Sequence, residues 1–282
     1  MQGTYAGEAG SYEELATALL ARKGSDSPAA PGAPAAATAA QCQTLAEVFA
    51  RVRDGVAVYG VAAAENSLNG TTGETYDLLL QSDVTITGET VVPVEHCLVG
   101  YPGSRAGRIK EVRGRPQDLA QCAPYLTGLG VELVPQHSSA GAARHVKTWG
   151  SPEVAAIASA HAAQVYGLDV LTSGIGSNPQ NFTRYLRIQK DPSPRGARNR
   201  TSLALGLEHK PDSLFLALSS VACRGINLTK IESRPVRRDP YEYIFWLEFE
   251  GHVEDWPVKQ ALDELKAKTI MLRVLGSYPV EE

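Results

Sequence analysis

The residues best equipped for chemistry lie in the stretch Asn181–Ile188, NFTRYLRI. Read as a strand, its period-two alternation puts Thr183, Tyr185 and Arg187 on one face and Arg184 with Phe182, Leu186 and Ile188 on the other. The first face offers two hydroxyls and a guanidinium, all able to donate hydrogen bonds to an anion. The second places an arginine among apolar neighbours. It must either snorkel to water at a sheet edge or meet a carboxylate.

Hydroxyls recur at other strand-to-helix junctions. Ser11 precedes Glu14 in SYEE and Thr71 precedes Glu74 in TTGE, both with capping-box spacing. Ser138 and Ser139 precede AGAARHV, and Ser159 precedes AHAAQVYG. Each alone reads as a helix cap. Together they read as a binding cradle, because ligands of parallel α/β sheets bind at the carboxyl ends of strands. Helix N-termini point there with free N–H groups and partial positive charge. The segment AAAENSLNG adds Glu65, Asn66 and Ser67 just beyond an apolar run. A small dianion suits such a cradle.

These residues need elements to hold them. The chain has 282 residues, 43% hydrophobic and 21% charged, the composition of a globular protein of about two domains. The net charge of −4 and the absence of a basic stripe argue against nucleic acid as a partner. No apolar run reaches the roughly 18–20 residues of a membrane span. Cys42, Cys97, Cys122 and Cys223 show no CxxC spacing and read as free thiols of a reducing compartment. No histidines pair at metal-ligand spacing, and His96, between Glu95 and Cys97, is poorly placed to chelate with its neighbours. No metal and no cofactor are expected. The opening MQGTYAGEAGSYEE has no basic n-region and no apolar h-region. The expected location is the cytoplasm, or the plastid stroma if a transit peptide has been removed from a plant or algal protein.

The Ala/Pro/Gly/Ser tract Gly24–Gln41 reads as a mobile surface insertion unable to join a core, so deleting Ser25–Ala40 is expected to change little. Residues 1–190 form one expected domain. There VAVYGVAAAE, VELVPQ, VAAIAS and LDVLTSGI read as strands alternating with the helical TTGETYDLLLQS, PQDLAQCAPYLTGLG, AGAARHVKTWG and AHAAQVYG. The alternation predicts an α/β architecture with mostly parallel sheets. The loop-rich Gln189–Arg200 reads as a linker. Residues 200–282 follow in the order βαββαβ, a ferredoxin-like unit.

In this order the motifs resemble the prephenate dehydratase family. NFTRY resembles its Asn-x-Thr-Arg-Phe/Tyr signature, AGEAGSYEELA its glycine-rich opening, AENSLNGTTGETYDLLL its Glu-Asn-Ser segment and SSAGAARHV its Ser/Thr-Ala-x-Ala-Ala stretch. INLTKIESRP resembles the phenylalanine-sensing signature of a C-terminal ACT domain. ENSL, QDLAQC and LRVLGSYP also resemble the plant and algal arogenate dehydratases of the same family. The resemblance implies a periplasmic-binding-protein-like catalytic domain with a ferredoxin-like ACT domain. It also implies decarboxylating dehydration of prephenate to phenylpyruvate, of arogenate to phenylalanine, or both.

Thr183 becomes the catalytic donor. Ser11, Asn66, Ser67 and Ser139 become carboxylate and side-chain binders, and Tyr185 shapes the ring pocket. Arg184 joins this site, its parity arguing for a buried ion pair with a partner such as Glu65. Phenylalanine is the implied effector, held by Asp212, Ser213, Leu214, Asn227, Leu228, Thr229, Glu232, Ser233 and Arg234 between paired ACT domains of a homodimer or homotetramer. Two departures stand out. KPDSLF replaces the usual Pro-Gly-Ala-Leu or Pro-Gly-Val-Leu, and RGRPQDLAQC replaces the usual Ser-His before the proline. The rival function on this two-lobed fold is a non-catalytic solute-binding or amino-acid-sensing protein.

Overall fold

A computed structural model of the chain describes residues 3–23, 39–236 and 239–280. The chain divides into two compact units. The first comprises Met1–Arg51, Gly60–Thr75 and Thr90–Tyr185. The second comprises Val52–Tyr59, Tyr76–Glu89 and Leu186–Glu282.

The first half of the chain runs β1 (Gly3–Ala6), α1 (Tyr12–Lys23), β2 (Ala39–Cys42), α2 (Leu45–Arg53), β3 (Tyr59–Asn66), β4 (Gly70–Thr71), α3 (Gly73–Gln81), β5 (Thr85–Pro93), β6 (Cys97–Gly100), β7 (Glu111–Gly114), α4 (Pro116–Gln121), α5 (Ala123–Leu129) and β8 (Glu132–Pro135). It continues α6 (Ser139–Trp149), β9 (Val154–Ala158), α7 (Ala160–Tyr166), β10 (Asp169–Thr172) and β11 (Phe182–Gln189). One sheet has the order β2-β1-β3-β11-β5, with β4 paired to β3, and a second has the order β10-β6-β9-β7-β8.

The second sheet shows why VAAIA is apolar throughout. Ala156 and Ala158 pack with Cys97 and Val99 against Ala142, Val146 and Ala162 of α6 and α7. Ala155 and Ile157 face the other way, onto Val112, Leu119 and Leu126. A strand covered by helices on both faces has no solvated positions. This sheet is mixed rather than mostly parallel, because β6 runs antiparallel to both β9 and β10 while β7 runs parallel to β8 and β9.

Local chemistry ends the helices where the sequence predicts. Gly130, Gly150 and Gly167 cap α5, α6 and α7 in the left-handed region, where glycine carries no Cβ penalty. PQDLAQCAPYLTGLG is two helices rather than one. Cys122 leaves helical geometry at φ −101°, ψ 6°, and Pro124 opens the second helix where its missing N–H costs nothing. Thr71 is the second residue of β4, opposite Glu65, and α3 begins two residues later.

The tract read as a surface insertion needs one correction, at its end. Gly24–Thr38 lies outside the described residues. Ala39–Cys42 is β2, paired in parallel with Gly3–Ala6. Thr4 Oγ1 donates to Ala40 O at 2.9 Å and lies 3.0 Å from the Cys42 sulfur, a pinning that small residues permit. Deleting Ser25–Ala40 removes half of this strand. It is therefore expected to lower the melting temperature by several degrees, since about 1 kcal/mol shifts a domain of this size by roughly 2–4 °C. An unchanged melting curve would show that β2 adds nothing to the sheet.

The rest of the chain is β12 (Asn199–Gly206), α8 (Ser213–Ala222), β13 (Leu228–Val236), β14 (Asp239–Glu250), α9 (Trp256–Lys268) and β15 (Met271–Pro279). Its sheet order is β13-β14-β12-β15, antiparallel throughout. The order βαββαβ is the one expected. Leu203, Leu205, Leu247 and Phe249 alternate onto one face, which α8 and α9 cover with Ala217, Val221, Val258 and Leu265. Each fully buried side chain of this size contributes roughly 1.5–3 kcal/mol.

Candidate active site

Asn66 organises the site. It ends β3, and its amide Nδ2 donates to Asn181 Oδ1 at 2.7 Å, to Phe182 O at 2.9 Å and to Thr183 Oγ1 at 3.0 Å. Its Oδ1 accepts from the backbone N–H groups of Leu68 and Asn69. The neighbouring Ser67 donates to Gln180 O and accepts from the Phe182 N–H, both at 3.0 Å. The Glu-Asn-Ser segment is thus the clamp that fixes the start of β11, and Thr183 with it.

Asn181 passes the network on. Its Nδ2 donates to Gln121 Oε1 at 2.9 Å, and His96 Nε2 lies 2.7 Å from that same oxygen. An amide oxygen only accepts, so His96 carries its proton on Nε2.

Thr183 and Tyr185 line a cavity of about 400 Å³ lying wholly within the first unit. Its walls come from the starts of three long helices. Ser11 opens α1, where its Oγ accepts from the Glu14 N–H at 3.2 Å. Thr71 and Thr72 precede α3. Ser138 caps α6 by accepting from the Gly141 N–H at 2.9 Å, leaving Ser139 as the first helical residue on the cavity wall. Three helix N-termini give the cavity donors and positive dipole ends suited to carboxylates.

Some expected residues fall elsewhere. Ser159 caps α7 and donates to Gly10 O at 3.3 Å, away from the cavity. Ser67 and Arg184 are not among the residues lining the cavity. Arg184 is buried and donates from Nη1 to Glu65 Oε1 at 3.3 Å, the ion pair its parity called for. Arg187 stacks on Tyr59 instead of facing a ligand.

The cavity also holds residues that the sequence reading passed over, among them Glu13, Arg115, Asp118 and Gln121. Arg115 grips Asp118 through two bonds of 2.9 Å, from Nε to Oδ2 and from Nη2 to Oδ1. Burial pushes the Glu13 carboxyl above the usual carboxylate range, against the pull of its backbone hydrogen bond and of nearby Arg115. Burial also holds the Tyr185 hydroxyl well above its ordinary value. The signal for this cluster was visible in RGRPQDLAQC, but nothing in a linear sequence brings Arg115 to Glu13.

The expected effector residues lie in the second unit. A smaller cavity of about 110 Å³ is lined by Ser213 and Leu214 with His209, Lys210, Tyr243 and Phe245. Leu228, Thr229, Glu232, Ser233 and Arg234 lie on β13, just after Asn227. Arg234 donates to Asp77 Oδ1 at 2.9 Å. Asp212 is the N-cap of α8 at φ 66°, the one non-glycine residue with positive φ among the described residues, and its side chain makes no capping bond.

Fold and cavity together define an α/β domain with a polar cavity that has the Thr183 hydroxyl fixed in its wall. Comparison with known proteins narrows this. The sequence profile described as prephenate dehydratase matches residues 4–193. An arogenate dehydratase/prephenate dehydratase from Arabidopsis thaliana is 38% identical over 256 residues, covering 85% of this chain and 65% of that protein. A bifunctional N-acyl-homoserine lactone acylase/prephenate dehydratase from Komagataeibacter europaeus is 36% identical, covering 86% of this chain and 87% of that protein. The prephenate dehydratase of Arthrobacter aurescens, solved in complex with L-Phe, superposes with a TM-score of 0.85 at 30% identity over 99% of this chain and 90% of that one. The chain belongs to the prephenate dehydratase family. It spans about two thirds of the length of the Arabidopsis relative. Among the described residues no helix is long and apolar enough to cross a membrane.

Proposed function

We propose that the chain catalyses the decarboxylating dehydration of prephenate, arogenate or both, in phenylalanine biosynthesis. The observation that carries this reading is Thr183, whose Oγ1 accepts from Asn66 Nδ2 at 3.0 Å on the wall of a cavity built from helix N-termini. That bond occupies an acceptor site of the hydroxyl and turns its hydrogen elsewhere.

A substrate dianion would lie with its carboxylates toward the starts of α1, α3 and α6. The ring carboxylate leaves as carbon dioxide, its bonding electrons enter the ring, and the hydroxyl on the opposite carbon departs with its own pair. Aromatisation drives the step. Thr183 donates to the departing oxygen and stabilises the charge that develops there. Tyr185 shapes the ring pocket beside it, and the Arg184–Glu65 pair fixes the strand. Turnover of both substrates by the purified protein tests this reading, and turnover of neither would leave a binding protein.

Residues 200–282 are proposed as an ACT domain that senses phenylalanine, paired with that of a second copy in a homodimer or homotetramer. The cavity at Ser213 and Leu214, next to a helix N-terminus, supports it. An effector inhibits only by binding the less active state more tightly. Asp212 brings a carboxylate to that N-terminus and holds a backbone geometry natural to glycine. Asp212→Gly should therefore strengthen phenylalanine inhibition and stabilise the unit by about 1 kcal/mol, the scale of left-handed strain. Coincident inhibition curves would exclude Asp212 from the pocket's energetics, and an unchanged unfolding midpoint would show that its φ carries no strain.

A further inference from the structure

Among the described residues, Arg115 is the one lysine or arginine on the wall of the Thr183 cavity. It stands just before α4 with extended backbone, φ −62° and ψ 146°, as the following proline requires. Its guanidinium is fixed by Asp118, whose side chain is 2% exposed, through the bonds of 2.9 Å from Nε and from Nη2. A carboxylate buried that deeply does not swing, so the planar fork has one orientation. The N–H groups on Nη1 and the second one on Nη2 take no part in that grip. The exposed part of the side chain opens on the cavity and on a recess beside it lined by Gln117, Gln136 and His137.

The position of the fork is set relative to Thr183. Gln121, at the end of α4, accepts from Asn181 Nδ2 at 2.9 Å, and Asn66 Nδ2 donates both to Asn181 Oδ1 and to Thr183 Oγ1. One short helix and one hydrogen-bond network therefore join the guanidinium to the hydroxyl donor.

We infer that Arg115, oriented by Asp118, receives the side-chain carboxylate of the substrate, the one that the product keeps. This rests on the dehydratase reading above. The two carboxylates of the substrate differ in what happens to their charge. The ring carboxylate leaves as neutral carbon dioxide, so charge-assisted bonds to it weaken toward the transition state and would slow the step. The side-chain carboxylate keeps its charge throughout, and the same bonds there hold the substrate without opposing the chemistry. Helix ends do not tell the two groups apart. A planar fork does, because it takes a carboxylate in its own plane through paired N–H groups.

Other carboxylates share the wall. Glu8 pairs with Arg144 Nε at 3.0 Å and is thereby engaged. Glu13 has no such ion pair, which gives Arg115 a rival task, the neutralisation of Glu13. The two tasks separate when both charges are removed together.

The test is kcat and KM for Arg115→Gln, Asp118→Asn, Arg115→Gln/Asp118→Asn and Glu13→Gln/Arg115→Gln, on whichever of prephenate and arogenate the wild type turns over. Inhibition by 3-phenylpropanoate and melting curves accompany it. That inhibitor carries the retained carboxylate without a ring carboxylate and without the amino group of phenylalanine. Arg115→Gln should raise KM by roughly 10²-fold with kcat within a few-fold, the pattern of a contact equally strong in ground and transition states. The inhibition constant of 3-phenylpropanoate should rise by a similar factor. Asp118→Asn keeps the shape but loses one accepting oxygen, and should raise KM by about 10-fold. Glu13→Gln/Arg115→Gln should keep the raised KM.

A fall in kcat at wild-type KM in Arg115→Gln would place the guanidinium at the reacting atoms and overturn the assignment. A raised KM with unchanged inhibition by 3-phenylpropanoate would move the fork to the ring carboxylate and overturn it too, as would a wild type that this compound does not inhibit. Wild-type KM in Glu13→Gln/Arg115→Gln would reduce Arg115 to neutralising Glu13. An unchanged KM in Asp118→Asn would remove Asp118 as the positioning residue. Arg115→Gln alone leaves Asp118 buried without its cation. If that variant does not fold, Arg115→Gln/Asp118→Asn, with both charges gone, decides by the same measurements. A wild type inactive on both substrates would defeat the dehydratase reading and this assignment with it. An active wild type whose Arg115 variants keep KM defeats only the assignment.

Discussion

Thr183→Ala lowers turnover of prephenate or arogenate by roughly 10²-fold or more with little change in melting temperature, the loss expected for a donor aimed at developing charge. The fold survives because the clamp does not depend on the threonine. Asn66 Nδ2 keeps Asn181 Oδ1 and Phe182 O as acceptors, and Ser67 keeps both of its bonds to the same segment. What disappears is the one O–H that the clamp holds toward the cavity. Thr183→Ser restores a hydroxyl without the β-branch and should recover much of the rate. Near-normal turnover in Thr183→Ala, at wild-type stability, would remove the residue from the mechanism.

Gly276→Ala acts on folding instead. A Cβ at this position would collide with Ile86 O and lie 2.7 Å from Ile86 Cβ and 2.8 Å from Ile86 N. Two of these are backbone atoms, which cannot swing aside as a side-chain tip can. Thr85 Oγ1 donates to Leu275 O at 3.1 Å immediately alongside and holds the approach closed. The register of β12 on β15 slips here, Ser202 facing Gly276 and Leu203 facing Val274, so Leu275 is the extra residue of a bulge. Overpacking at so rigid a place is expected to cost about 3 kcal/mol or more. Denaturant midpoints of the two proteins measure it, and a wild-type midpoint would mean that Ile86 and β15 separate freely.

How legible each part was follows from how local its cause is. The βαββαβ order, the glycine stops of α5, α6 and α7 and the Arg184–Glu65 pair could be read because period and parity are sequence properties. Helix α2 was equally readable from Leu45, Val48, Phe49 and Val52, yet the sequence reading leaves it out. Strand β7 hid behind its charges. Arg113 in EVRG is buried because it pairs with Glu111 and stacks on Trp149, partners no alternation rule supplies. Strand β2 hid in an alanine tract. Small residues read as incapable of packing, but a backbone ladder needs no side chains. Asp212 stands out in the sequence by its charge, while its left-handed backbone shows only in three dimensions. Glu13, Arg115 and Asp118 meet across about a hundred residues of chain, and no local rule joins them.

The convergence of α1, α3 and α6 on one cavity has a consequence for selectivity. Amide donors at helix ends do not titrate, and they register where negative charge sits rather than what else the molecule carries. A 2-oxo acid and its amino counterpart with the same two carboxylates look alike to them. On the dehydratase reading such a cavity would be generalist by construction, and a preference between the two would rest on the few side chains around the substrate's third functional group. A lineage could then exchange one substrate for the other by point substitution, with the helices, the clamp and the hydroxyl left in place.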